Sequence, residues 1–176
     1  MASVPFDLGS FVRDIPDFPK PGISFKDITP LLADPGALAL AVEGLAAPFA
    51  DLGITKVVGM EARGFIFAAP VAVALGAGFV PVRKAGKLPW SVNRQEYDLE
   101  YGTDLLEIHQ DAVDGADKVL VVDDVLATGG TAAATVDLLA QSGASVVGLA
   151  FVIELAFLAG RAPLGDASIT SLITYS

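Results

Sequence analysis

Cysteine is absent from the chain, and with it go disulfide scaffolds, thiol nucleophiles and Cys-ligated metals, while the redox compartment stays open. Histidine occurs once, as His109. It lies beside an apparent hairpin strand with no obvious partner, and we assign it to structure or solvent contact rather than catalysis. Positive charge is also scarce: 11 Lys and Arg face 21 Asp and Glu, a formal net charge of −10. A nucleic-acid or anionic membrane surface wants clustered cations, so neither partner is expected. Residues 64–82 carry no charge, long enough to raise the question of a membrane span. Pro70, Gly76, Gly78 and Pro81 interrupt the run, which predicts a buried helix followed by a buried strand. The N-terminus lacks the basic-then-apolar layout of a secretory signal, so a cytoplasmic protein is expected.

What is present is a chain of 176 residues, 53 % hydrophobic, the length of one domain with a real core and no linker, repeat or low-complexity segment. The few cations are unevenly placed. Arg83, Lys84, Lys87 and Arg94 crowd one short stretch, and Arg63 stands alone between apolar runs.

The densest pattern spans residues 119–131. Val119, Leu120, Val121 and Val122 suit a strand buried on both faces of a parallel sheet, and Asp123 and Asp124 are expected to end it. Ala133, Val136, Leu139 and Ala140 then recur at helical spacing as far as Gly143, so residues 127–131 form a strand-to-helix turn. Such a turn aims free N–H groups and the positive end of a helix at one spot, and Gly129 and Gly130 let a ligand approach the main chain. A phosphate fits there, with Thr128 and Thr131 adding hydroxyls and the two carboxylates placed to accept from sugar hydroxyls. The window is not a nucleotide-triphosphate loop, since no Gly-Lys-Ser/Thr follows, and no Gly-x-Gly-x-x-Gly occurs. A helix cap beside solvated aspartates is the plainer alternative.

Elsewhere the chain alternates strands and helices. A short amphipathic segment at residues 5–15 precedes extended Pro-rich chain at 16–21. Asp34-Pro35 caps a helix that runs toward Gly53. A strand at residues 56–60 opens into Glu61-Ala62-Arg63-Gly64 and the next helix, repeating the grammar of the phosphate turn. In an open parallel sheet such loops share one crevice, so Arg63 is expected to face the site. A short strand at 79–82 precedes the cationic stretch, and the chain is polar and irregular as far as Glu96. Tyr97, Leu99 and Tyr101, with residues 105–108, read as a two-stranded hairpin. A strand at 145–153, a short helix or turn at 155–164 and a strand at 169–173 close the chain. The expectation is an α/β fold, a doubly wound and mostly parallel sheet flanked by helices.

Val121-Val122-Asp123-Asp124-Val125-Leu126-Ala127-Thr128-Gly129-Gly130-Thr131 resembles the phosphoribosyl-diphosphate (PRPP) signature of the type I phosphoribosyltransferase family, in the wording of its adenine branch. Four further motifs follow the family's order: residues 18–30, Glu61-Ala62-Arg63-Gly64-Phe65, residues 83–89, and Tyr97-Asp98-Leu99-Glu100-Tyr101-Gly102. The resemblance implies one domain over 1–176, with a small N-terminal hood at about 1–33 and a flexible flap and hairpin at about 84–108. It implies transfer of the phosphoribosyl group from PRPP to N9 of adenine, giving AMP and diphosphate. Ribose and phosphate would be held by Asp123, Asp124, Ala127, Thr128, Gly129, Gly130 and Thr131, and diphosphate by Arg63, Arg83, Lys84 and Lys87. Adenine would be read by the ring of Phe25 and main-chain groups of Ser24 and Lys26. Glu100 is the candidate proton partner, and Tyr101 would order the flap or simply pack there. Mg²⁺ would arrive with PRPP and be held mainly by substrate and water, with no direct protein ligand expected, and a homodimer is implied. Residues 90–92 depart from the family pattern. Two alternatives stay open: a ligand-sensing regulator that keeps the PRPP site, and an enzyme of the same class using another base.

Overall fold

The computed structural model describes residues 7–98 and 103–176. A seven-stranded sheet runs through the molecule in the order β5 (Val92–Asp98), β6 (Thr103–His109), β4 (Gly78–Lys84), β3 (Lys56–Met60), β7 (Lys118–Leu126), β8 (Ser145–Leu155), β9 (Ile169–Tyr175). Its parallel part comprises β3, β4, β7, β8 and β9. The hairpin of β5 and β6 adds antiparallel to the outer part of β4. A separate two-stranded ribbon pairs β1 (Arg13–Ile15) with β2 (Phe25–Asp27).

Period-two alternation decides which side chains meet which helices. Val57, Leu120, Val122, Ala150 and Val152 point to one face, where they meet Leu31, Leu45, Phe49, Phe67 and Val71. The intervening Val58, Val121, Leu149 and Phe151 point to the other, against Leu138 and Leu139. Helices α1 (Thr29–Ala33), α2 (Pro35–Ala46) and α3 (Gly64–Leu75) therefore cover the first face, and α4 (Gly130–Gln141) the second. Each fully buried Leu or Phe in these layers contributes about 1.5–3 kcal/mol.

Several boundaries differ from the sequence expectation. Asp123 and Asp124 do not end β7, which continues to Leu126; pairing of Asp123, Val125 and Leu126 with β8 carries the strand past the polar residues. Residues expected to be irregular before Glu96 form most of β5, since each pairs with a partner on β6. Arg83 and Lys84 belong to β4 rather than following it, because they pair with Glu107 and Leu106. The N-terminal amphipathic segment is a 3-10 turn, Leu8–Phe11, followed by β1. The Asp34 cap is as expected, its carboxylate accepting from the Ala37 N–H at 2.8 Å. The charge-free run folds as α3, closed by Gly76 in the left-handed region (φ 65°), and then β4. No helix among the described residues is long and apolar enough to cross a membrane.

Candidate active site

The carboxyl ends of β3 and β7 lie side by side, with Gly59 paired to Val122. Each strand opens into a loop and then a helix, so both helix N-termini face one crevice. After β7 the chain turns through residues 127–129 into α4, with Gly129 at φ 82°. Among the described residues no side chain caps α4, so its first-turn N–H groups are available to a ligand. They border a recess of about 80 Å³ bounded by Ala127, Thr128, Gly129, Gly130 and Thr131. A larger cavity of about 630 Å³ adjoins it, sharing Asp123, Ala127 and Thr131.

The loop after β3 supplies Arg63, whose Nε donates to Asp124 Oδ2 across the crevice. The same guanidinium lies 5.5 Å from the centroid of the Phe25 ring, within cation–π range. Gly64 allows this loop to press on β7: a Cβ there would stand 2.5 Å from Asp123 Oδ1 and 3.1 Å from the Val122 carbonyl oxygen. The Glu61–Ala62 peptide in this loop is cis. Asp124 is only 5 % exposed, and its N–H donates to Asp123 Oδ1 at 2.9 Å. Desolvation, then the neighbouring Asp124 charge, push the Asp123 carboxyl well above the usual carboxylate range.

A cationic wall stands opposite. Glu61 accepts from Arg83 Nε at 3.2 Å, from the Lys84 N–H at 3.1 Å and from Lys87 Nζ. Burial alone would raise the Glu61 pKa, but these donors together hold it below its ordinary value. Lys84 Nζ reaches Asp104 at 2.9 Å, and the Tyr97 hydroxyl donates to the same carboxylate at 3.4 Å. Below them Glu107, 1 % exposed, accepts from Arg94 Nε at 2.8 Å and the Gly86 N–H at 2.9 Å. The hairpin is tied in turn to α4, with Asn93 donating to Ser142 at 3.2 Å and Gln141 to Gln95 at 2.6 Å.

Ser24, Phe25, Lys26, Arg63, Lys84, Asp123, Asp124, Ala127 and Thr131 thus line the larger cavity, and Thr128, Gly129 and Gly130 the adjoining recess. Phe25 is steadied by an edge-on contact with Phe18 at 5.1 Å. The Lys26 ammonium is committed elsewhere, to Asp14 and to the Tyr175 ring at 4.0 Å. Arg83 and Lys87 stand one layer back, on Glu61. Glu100 and Tyr101 lie outside the described residues. Glu61, Tyr97 and Leu155 also line the cavity; in the sequence Glu61 and Tyr97 figure only as members of motifs and Leu155 only as the start of a turn, with no site role. Only Glu61 left a signal there, as a carboxylate beside an otherwise cationic set. His109 is not among the residues that line the cavity, and its Nε2 is buried without a hydrogen-bond partner among the described residues.

A family model described as the phosphoribosyl transferase domain matches residues 32–164. An adenine phosphoribosyltransferase from Acaryochloris marina (strain MBIC 11017) is 59 % identical over 169 residues, covering 96 % of this chain and 99 % of that protein. The crystal structure of the adenine phosphoribosyltransferase from Rhodothermus marinus DSM 4252 superposes with a TM-score of 0.91 at 52 % identity, covering 96 % of each chain. The Saccharomyces cerevisiae enzyme, solved with D-2,5-dideoxy-2,5-imino-altritol 1,6-bisphosphate and adenine, superposes with a TM-score of 0.89 at 42 % identity, over 94 % of this chain and 96 % of that one. With a glycine-bearing strand-to-helix turn, a paired-carboxylate strand end and an Arg-bearing loop in one crevice, and with relatives matched almost end to end, the chain belongs to the phosphoribosyltransferase domain family, in its adenine phosphoribosyltransferase branch.

Proposed function

We propose that the chain transfers the 5-phosphoribosyl group of PRPP to N9 of adenine, releasing diphosphate and forming AMP. The observation that carries this reading is the adjacency of two strand ends, β3 presenting Arg63 and β7 presenting Asp123, Asp124 and an uncapped helix N-terminus, with Phe25 5.5 Å from the Arg63 guanidinium.

The 5-phosphate is gripped by the N–H groups of the turn at residues 127–131, aided by the Thr128 and Thr131 hydroxyls. Asp123 and Asp124 accept from the ribose hydroxyls. Arg63 turns from Asp124 toward the diphosphate, where a planar fork matches phosphate oxygens, and Lys84 stands on the opposite wall. Arg83 and Lys87, held on Glu61, extend the positive field behind it. The Phe25 ring stacks on the purine, whose edge is read by main-chain groups of Ser24 and Lys26. The bond from the anomeric carbon to diphosphate oxygen breaks with its electron pair leaving on diphosphate. The N9 lone pair of adenine then forms the new bond from the opposite face of the sugar. Glu100 takes the purine proton, and Tyr101 helps order the hairpin as a flap that excludes water. Preorganised charge and orientation supply most of the acceleration.

Mg²⁺ would enter with PRPP and be held mainly by substrate oxygens and water, in a cavity bordered by the Asp123 and Asp124 carboxylates and with no direct protein ligand. When bound, the cation would supply neutralising charge at the leaving diphosphate, beside Arg63 and Lys84. The ribbon β1–β2 serves as a hood over the base. A homodimer is supported by apolar side chains left open on neighbouring elements, Ile66 and Val73 on α3 and Phe79 on β4. The proposed location is the cytoplasm.

The test is AMP formation by the purified chain from PRPP and Mg²⁺, with adenine, hypoxanthine, guanine and orotate offered in parallel. Turnover confined to adenine is expected. Turnover with another base would overturn the base site, and PRPP binding without turnover would point to a ligand-sensing role.

A further inference from the structure

Residues 156–165 take no part in the chemistry above, yet they form the floor under the phosphate turn. The contact is main chain on main chain. A Cβ on Gly129 would stand 2.1 Å from the Gly160 carbonyl oxygen and 2.7 Å from Pro163 Cγ. A Cβ on Gly160 would stand 2.2 Å from the Ala127 carbonyl oxygen and 3.1 Å from Leu126 Cδ1. The two glycines interlock, so where the floor lies decides where the turn lies.

The floor itself is two 3-10 turns, Ala156–Leu158 and Ala162–Leu164, joined through Ala159 at φ 53°. Its own hydrogen bonds, such as Ala162 N–H to the Ala159 carbonyl at 3.0 Å and Leu164 N–H to the Arg161 carbonyl at 3.0 Å, close local turns without tying them to the sheet. Arg161 makes that tie. Its Nε and Nη2 donate to the two carboxylate oxygens of Glu154 at 2.7 and 2.6 Å, a bidentate, charge-assisted fork. Glu154 is 6 % exposed on β8, in register with Leu126 of β7 on one side and Thr174 of β9 on the other. Leu126 is the residue from which the phosphate turn departs.

We infer that Arg161 and Glu154 are a positioning pair for the phosphate turn. The fork holds the floor against the strand ends at the level where the turn begins, and so sets the spacing of the N–H groups that grip the 5-phosphate. The inference rests on the proposed reading of residues 127–131 as the ribose-phosphate site. Loss of an ion pair with a purely stabilising role would lower the melting temperature and leave the relative affinities for the two substrates alone.

The experiment compares wild type with Arg161→Lys, which keeps the charge and loses the fork. Binding of ribose 5-phosphate is measured by calorimetry, together with KM for PRPP, KM for adenine and the melting temperature. Ribose 5-phosphate affinity is expected to fall about tenfold and KM for PRPP to rise about as much, with KM for adenine within about twofold, the loss of one charge-assisted hydrogen bond. Gly160→Ala, which leaves the ion pair intact and places a methyl against the Ala127 carbonyl, is expected to give the same split. Glu154→Gln, which keeps the side-chain shape and loses the ionic fork, decides the question by the same split if Arg161→Lys does not fold. A folded variant with wild-type affinity for ribose 5-phosphate, or one that weakens both substrates equally, overturns the inference. A wild-type chain without affinity for ribose 5-phosphate overturns the reading of the turn itself, and the inference with it.

Discussion

On the proposed reading, Asp123 is placed where binding and folding conflict. Its carboxyl is desolvated against Gly64 and stands beside Asp124, so its folded-state pKa lies well above the unfolded value. A raised acid pKa means the folded state resists the charged form, so the group's charge costs stability at neutral pH and the cost falls away under mild acid. Asp123→Asn is therefore expected to raise the melting temperature by a few degrees at neutral pH while weakening PRPP binding, which calorimetry and scanning fluorimetry would read together. A lower melting temperature would contradict the assigned burial cost. Phe25 makes a different test. Base–aromatic stacking contributes about 1–3 kcal/mol, so Phe25→Ala should raise KM for adenine about tenfold or more and KM for PRPP much less. The reverse pattern would relocate the base site.

At the level of elements, the loop after β3 and the strand end of β7 behave as one unit because nothing larger than hydrogen fits between them. Gly64→Ala would place its methyl 2.5 Å from Asp123 Oδ1 and displace the loop carrying Arg63. A misplacement near 1 Å costs about 100-fold in rate, so kcat/KM for PRPP should fall by about that factor with the circular dichroism spectrum unchanged. Wild-type kinetics would show that the loop can yield. These elements were also the most legible in the sequence. The strand at 56–60, the Asp34-Pro35 cap and the turn before α4 announce themselves through runs of β-branched residues, cap chemistry and paired glycines. The ends of β7 and β5 were hidden, because Asp123, Asp124 and residues 93–96 have polar side chains, and only pairing with β8 and β6 holds them in strands. Glu61 as the collector of Arg83, Lys84 and Lys87 was invisible for a related reason. Its partners lie 22 to 26 positions away, and only the parallel pairing of β3 with β4 brings them to it.

For the molecule as a whole, acid should act in two opposed steps. Glu61, Asp104, Asp117 and Glu154 all have depressed pKa values: Arg161 is the main cause for Glu154 and Lys84 for Asp104, while donors outweigh burial for Glu61 and Asp117. A depressed acid contributes stability that is fully present above its unfolded pKa, about 4 for these side chains, and is lost as pH falls through the folded value. Asp123 works in the other direction at higher pH. The melting temperature is therefore expected to rise modestly from neutrality into mild acid and then drop below about pH 4. In Asp123→Asn the first rise should disappear and the later fall remain, a profile that a pH series of thermal melts would resolve.

Strands β3 and β7 are immediate neighbours, and paired strands lie about 4.8 Å apart, so their two loops form the jaws of a gauge. On the proposed reading PRPP is the molecule long enough to be held by both jaws at once, and tethering makes the second grip cheap once the first is made. Cutting the substrate between the jaws ends that advantage. AMP is left in one and diphosphate in the other, each held by half the grip, so the geometry that favours capture of the whole also favours release of the parts.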